Sequence, residues 1–235
     1  MPPYFYFFIA GGILFGIWLV WFLKKRKAEW RASMDALHER HGWSIDDITP
    51  SSLGSASKFG VHDPKADWEV TSIVRPQTQG SSGSQIQFTC PMPNASGAMA
   101  LLGPPMPTEQ LGFMSSMLGS FVTTFLAKMA GLPPEELEGM RQIDCSEPVT
   151  LIASNGAETW ITPSILAPDL APWLQQFPKL HPIVILGGGQ LRVRVRGQIA
   201  KPADVEAFIQ MAINIRRTLL QDLGNSPENN HEGRP

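Results

Sequence analysis

The sequence predicts an α+β fold set behind an N-terminal transmembrane helix. Three observations carry this. Residues 4–23 (YFYFFIAGGILFGIWLVWFL) hold no charged side chain. Short stretches of alternating apolar and polar residues recur in pairs separated by glycine-containing turns, the pattern of antiparallel hairpins. Between and after these pairs stand segments with apolar residues at helical spacing. Strands paired by hairpins, with amphipathic helices between the pairs, give an antiparallel sheet with helices packed on one face.

The first element is the anchor. Twenty residues at about 1.5 Å each span about 30 Å, the hydrocarbon thickness of a bilayer. Tyr4 and Tyr6 stand at one end and Trp18 and Trp21 at the other, where rings with a polar handle favour the headgroup level. A cleaved signal peptide fits poorly, because no basic stretch precedes the run and no small-residue cleavage site follows it. Lys24, Lys25, Arg26 and Lys27 come directly afterwards. Basic residues stay on the cytoplasmic side, so the N-terminus is expected outside and the remaining chain inside. The same four side chains suit anionic headgroups, worth about 1 kcal/mol each near the surface. Gly12 and Gly16 form a G-x-x-x-G spacing that permits close helix pairing, a weak basis for a homodimer.

Residues 24–42 read as a basic juxtamembrane helix, with Trp30, Met34, Leu37 and His41 at helical spacing and Gly42 as its C-terminal cap. Residues 44–58 are rich in turn formers and read as loop, with a short helix at 46–48. Residues 68–74 (WEVTSIV) and 85–89 (QIQFT) alternate and form a hairpin. Residues 91–107 are apolar but broken by prolines and glycines, so they read as irregular. Residues 109–130 carry the apolar stripe Leu111, Met114, Leu118, Phe121, Val122, Phe125 and Met129. That segment stands open between a core helix, an interfacial helix on the bilayer and a second span. Residues 135–140 form a short helix. Strands at 149–153 and 158–161 are expected to pair across Ser154-Asn155-Gly156. Residues 163–177 form a helix, strands at 182–186 and 191–196 flank Gly187-Gly188-Gly189, and 201–223 is a strong amphipathic helix. The expected organisation is an anchor at 1–23, the juxtamembrane helix at 24–42, a cytoplasmic domain at 43–223 and a disordered tail at 224–235.

The 235 residues are 43% hydrophobic, enough for a sizeable core. The net charge of −2 is unevenly spread. Residues 24–27 hold four of the 19 basic side chains and residues 1–27 none of the 21 acidic ones. The remainder therefore carries 15 against 21, a net of −6. Such a domain has no basic field for a phosphate backbone, so nucleic acid is an unsuitable partner. Cys90 and Cys145 fit no metal or haem spacing. They read as small buried hydrophobes in a reducing compartment, or as one disulfide in an oxidising one.

No residue set announces chemistry. The triple glycine at 187–189 lacks the Lys-Ser/Thr and helix of a P-loop. His38 and His41 have a metal-compatible spacing without further ligands, while His62 and His181 stand alone. Glu135, Glu136, Glu138, Asp144 and Glu147 read as a solvated acidic face. Arg192, Arg194 and Arg196 alternate with apolar residues, so period two places all three on one sheet face. That row is either a solvated face or a surface for an anion, a partner or lipid headgroups. No catalytic residue, cofactor or metal site is expected.

The segments ALHERHGWSI, WEVTSIV, VTLIASNGAETWITPSILAPDLAPWLQQF and QLRVRVRG, with the final amphipathic helix, resemble bacterial membrane-anchored proteins classed as domains of unknown function. The resemblance implies an inner-membrane protein with a cytoplasmic α+β domain and supplies no catalytic residues. The expected function is a membrane-tethered, non-enzymatic interaction or assembly protein whose partners are the lipid bilayer and another membrane protein or complex. Two alternatives stand beside it: a module for lipid or a small apolar ligand, suggested by the Met/Leu/Phe-rich stretch 99–129, and an enzyme whose site assembles from distant residues.

Overall fold

The computed structural model describes residues 4–48, 57–74, 85–95, 97–105, 139–197, 199 and 201–224. Side chains are described for all of these except 4–10, 47, 48, 57, 58, 73, 74 and 224. The segment expected as a helix at 109–130 lies outside the described residues, as does most of the short helix expected at 135–140; of the tail expected at 224–235 only Gly224 is described, as the last residue of a helix.

Helix α1 (Tyr4–His41) runs unbroken for 38 residues. Gly42 ends it with φ +74°, a left-handed conformation open to glycine, and donates its N–H to the His38 carbonyl at 2.7 Å. The chain then reverses into a four-strand meander: β1 (Ser44–Ile48), β2 (Ser57–His62), β3 (Glu69–Val74) and β4 (Gln85–Pro91). After it come β5 (Met99–Gly103), β6 (Arg141–Ile143), β7 (Thr150–Ala153), helix α2 (Pro163–Gln176), the hairpin β8 (Pro182–Gly187) and β9 (Gln190–Arg196), and helix α3 (Pro202–Gly224). Nine strands form one sheet in the order β1-β2-β3-β4-β9-β8-β5-β7-β6, antiparallel throughout. The α+β class and the antiparallel hairpins expected from the sequence are therefore present.

The described helices share one sheet face. Ile86 and Phe88 of β4, Leu191, Val193 and Val195 of β9, and Val184 and Leu186 of β8 join one core. Met34 and Leu37 of α1, Leu166 and Trp173 of α2, and Phe208, Ile209 and Ile215 of α3 complete it. Phe88 and Phe208 are completely buried. Side chains of this size each contribute about 1.5–3 kcal/mol by leaving water. Helices α2 and α3 lie antiparallel: Thr162 reaches Asp222 at 3.4 Å and Thr218 donates to Asp169 at 2.7 Å. Pro168 and Pro172 fall on the exposed side of α2, where the carbonyls they leave unpaired meet solvent.

The other face changes character across the sheet. On β3, β4 and β9 it carries Thr71, Gln87 and Arg194 in register. On β5, β7 and β8 it carries Leu101, Ile152, Ile183 and Ile185, each 0–1% exposed.

The β8–β9 turn is Gly188-Gly189, with φ +60° and +73°, the two-residue type I′ arrangement. Gly187 beside it is constrained by space: a Cβ there would stand 2.8 Å from the Ala98 carbonyl oxygen. The turn is held from below by Met92 N–H to Gly189 O at 2.7 Å and Gly189 N–H to Ala95 O at 2.8 Å.

Three sequence expectations are corrected. The stretch 44–58 holds strands β1 and β2 in place of a loop with a short helix. Asp46 pairs opposite Gly60 at the sheet edge, where charged residues are tolerated because one side of the strand faces solvent. The stretch 91–107 contains β5, whose apolar residues are buried on both faces, so it lacks alternation. Residues 158–161 form turns, and β7 pairs with β5 and β6. Ser154 ends β7 by exchanging bonds with Met99, and the Glu158 carboxylate accepts the Gly156 N–H at 2.7 Å, so the chain turns away before a second strand forms. Strand β6 had no expectation at all.

Among the described residues no helix is long and apolar enough to cross a membrane. Within the uncharged run 4–23, side chains are described only from Gly11 onward, and Lys24 follows Leu23.

Candidate functional site

Three places concentrate unusual surface or polar geometry, and the first is the arm of α1. Ile13, Leu14, Phe15, Ile17, Trp18, Leu19, Val20, Trp21 and Leu23 are 39–67% exposed. These positions cover every direction around a helix, so no single packed face accounts for them. Gly12 and Gly16 have nothing within 4 Å of a Cβ position, leaving that strip of the helix open. Phe15, Trp18 and Phe22 stack at 5.8 and 5.4 Å between ring centroids. Lys24, Lys25, Arg26 and Lys27 are exposed. Lys25 lies 5.4 Å from the Trp21 ring and Arg26 5.2 Å from the Phe22 ring. The charged ends of both side chains thus lean back over aromatic rings of the arm, the arrangement of a cation on a ring face. Tyr4 and Tyr6 belong to α1, but their side chains are outside the described set.

The second place is the joint where α1 meets the domain. Trp30 packs edge-on against Phe59 at 5.6 Å, and Met34 and Leu37 are 2% and 4% exposed. At the last turn the His41 Nε2 lies 2.6 Å from Glu206 Oε1, and Arg40 Nη1 donates to the same oxygen at 3.0 Å. The His41 ring stacks on Trp43 at 4.2 Å and 13°. The His38 Nδ1 donates to the Trp43 carbonyl. Bonding to His41 first, then to Arg40, holds the Glu206 carboxyl below its ordinary value despite partial burial. The two histidines, expected as surface and helix-end residues, are structural ties, and the described residues hold no cluster able to bind a metal.

The third place is the arginine row of β9. Arg192, Arg194 and Arg196 share one face, as period two requires, but they are not equivalent. Arg194 is only 9% exposed, Arg192 is half-buried and Arg196 is exposed. The Arg194 Nε donates to Gln87 Oε1 at 2.9 Å, its Nη2 donates to the same oxygen, and the Gln87 amide in turn donates to Thr89 at 3.1 Å. Burial, followed by the charges of Arg192 and Arg196, pulls Arg194 down to about 10. It remains a cation at neutral pH, so the row keeps three positive charges.

A cleft of about 470 Å³ opens where β2, β3, β4 and β9 end, lined by His62, Asp67, Trp68, Glu69, Cys90 and Gln190 among others. His62 also contacts Asp46 at 3.4 Å. Burial pushes the Cys90 thiol up to about 11 against the opposing charge of Arg216, so the sulfur stays protonated and unsuited to nucleophilic work. Cys145 is half-buried, donates to the Val149 carbonyl at 3.4 Å, and is likewise raised by burial. Both thiols are free.

Sequence reasoning found the arm, its basic collar and the arginine row. It missed Glu206 as the partner of His41, 165 positions away, and the cleft, which only the sheet order assembles. Comparison with known proteins finds no matching family, no matching curated protein and no matching solved structure.

Proposed function

We propose that this chain is a membrane-tethered interaction or assembly protein, anchored by residues 4–23 in a bacterial inner membrane with its domain on the cytoplasmic face. One observation carries the tether: α1 leaves its apolar side chains from Ile13 to Leu23 exposed all round, while Met34 and Leu37 of the same helix are buried in the core. An apolar surface of this extent in water is costly at about 25 cal/mol per Å², and a bilayer removes it from water. The uncharged run before Gly11 extends the arm to bilayer thickness. The collar from Lys24 to Lys27 supports the inward orientation and contact with anionic headgroups.

The interaction role draws on what surrounds the arm. The open strip at Gly12 and Gly16 suits a second helix, from another membrane protein or a second copy. Arg196, the exposed end of the arginine row, suits an acidic partner surface. The test is purification from native membranes in a mild detergent. A partner protein that co-elutes with wild type and is lost from the Arg196→Gln variant is the expected result. A chain that elutes alone as a monomer contradicts the assembly role.

A further inference from the structure

We propose that the cleft at the shared end of β2, β3, β4 and β9 is a binding site for a small organic cation that also carries a hydrogen-bond acceptor, an amino alcohol being the simplest such molecule. The cleft holds about 470 Å³, within the range of small-ligand sites. It goes beyond the tether and stands whether or not the arm enters a membrane.

The charge of the cleft is of one sign. Asp63, Asp67 and Glu69 line it, and among the described residues no Lys or Arg joins them there. The turn from β2 to β3 sets two of the three. Ala66 N–H donates to the Asp63 carbonyl at 3.2 Å, Trp68 N–H to the Ala66 carbonyl at 2.8 Å, and Lys65 N–H to Asp63 Oδ1 at 2.8 Å. This tight turn holds Asp63 and Asp67 on one lip before any ligand arrives. Glu69 follows on β3, in register between His62 and Thr89. His62 is already tied to Asp46 at 3.4 Å, whereas Asp67 and Glu69 enter no ion pair among the described residues.

The floor of the cleft adds a group of the opposite kind. Trp68 is 6% exposed and stands there beside Cys90, 1% exposed. The Trp68 ring is stacked on Phe88 at 5.6 Å and 26°, and Trp43 meets it at 84°. The ring is thereby fixed, yet among the described residues nothing accepts a hydrogen bond from its indole N–H. A buried donor without an acceptor is costly, and native structures pair such groups. A ligand oxygen seated in the cleft supplies the acceptor, while the ligand's ammonium meets the carboxylates of the lip. Ala66 and Pro91 offer an apolar wall to the carbon chain between the two. A metal ion fits less well, because the described residues hold no cluster able to bind one.

The test is titration of ethanolamine into the full chain in detergent micelles, read as the shift of the Trp68 indole N–H resonance. Ethanolamine should move that resonance saturably, and acetate should not move it. The double variant Asp67→Asn with Glu69→Gln, both at exposed positions, should bind about tenfold more weakly, the worth of two half-solvated ion pairs. Asp144→Asn, beside the far edge strand of the sheet, should bind as wild type. Absence of a saturable shift at Trp68 overturns the site. So does an equal response to acetate, an affinity unchanged in the double variant, or an equal loss in Asp144→Asn, which would mean general attraction to an acidic surface.

Discussion

Phe208 gives the most direct single-residue test of the core. It is completely buried and stands 5.9 Å from Trp173 at 69°, a bridge between α2 and α3 over the sheet. Phe208→Ala should cost about 3–5 kcal/mol, read as a lowered denaturation midpoint with an unchanged slope. Gly187→Val should also destabilise, by about 1–3 kcal/mol, because its Cβ would meet the Ala98 carbonyl backbone. The same Val at exposed Gly188 would suffer from its φ of +60° instead of from crowding, so a larger loss at 188 than at 187 would say that strain outweighs space. Glu206 supplies a pH prediction. Its carboxyl is held below the ordinary glutamate value, so it contributes stability that is fully present above that value and lost as pH falls through the folded one. Glu206→Gln should therefore narrow the difference in stability between neutral and acid pH. An acid-unfolding profile identical to wild type would contradict the pairing. Little of this was legible in the sequence. The amphipathic helix at 201–223 was readable from its spacing, but the tie from His41 to Glu206 spans 165 positions and no local pattern announces it.

Legibility at the level of elements follows the physics of each pattern. β3, β4 and β9 were readable because polar and apolar residues alternate along them, and β8 as a short apolar run that ends at the glycine turn. Helices α2 and α3 were readable from their single apolar stripes. β5 was not, because Leu101 and Leu102 are buried on opposite faces and the alternation vanishes. Residues 158–161 misled because Ser154-Asn155-Gly156 has hairpin chemistry, yet the Ser154 hydroxyl and backbone are taken by Met99 of β5. That contact makes an element-level prediction. Ser154→Ala should loosen the end of the β5–β7 ladder at a cost of about 1 kcal/mol, detected as faster amide exchange at Met99 than at Ile152. Equal exchange at both positions in the variant would place the anchoring elsewhere.

Taken as a whole, the molecule is divided by exposure. A sheet with helices on one face buries its apolar residues, and one helix carries the same kind of residue outward. The composition foretold this division: no acidic residue before position 28, a basic collar, and a net −6 domain behind it. The arm sets the proposed function, so the decisive measurement is a protease-protection assay on membrane vesicles, paired with alkaline carbonate washing. The chain should stay in the carbonate-washed membranes, and its domain should be digested in inside-out vesicles but protected in sealed right-side-out ones. Release by carbonate, or digestion of the domain from the outer side, would contradict the tether or its direction.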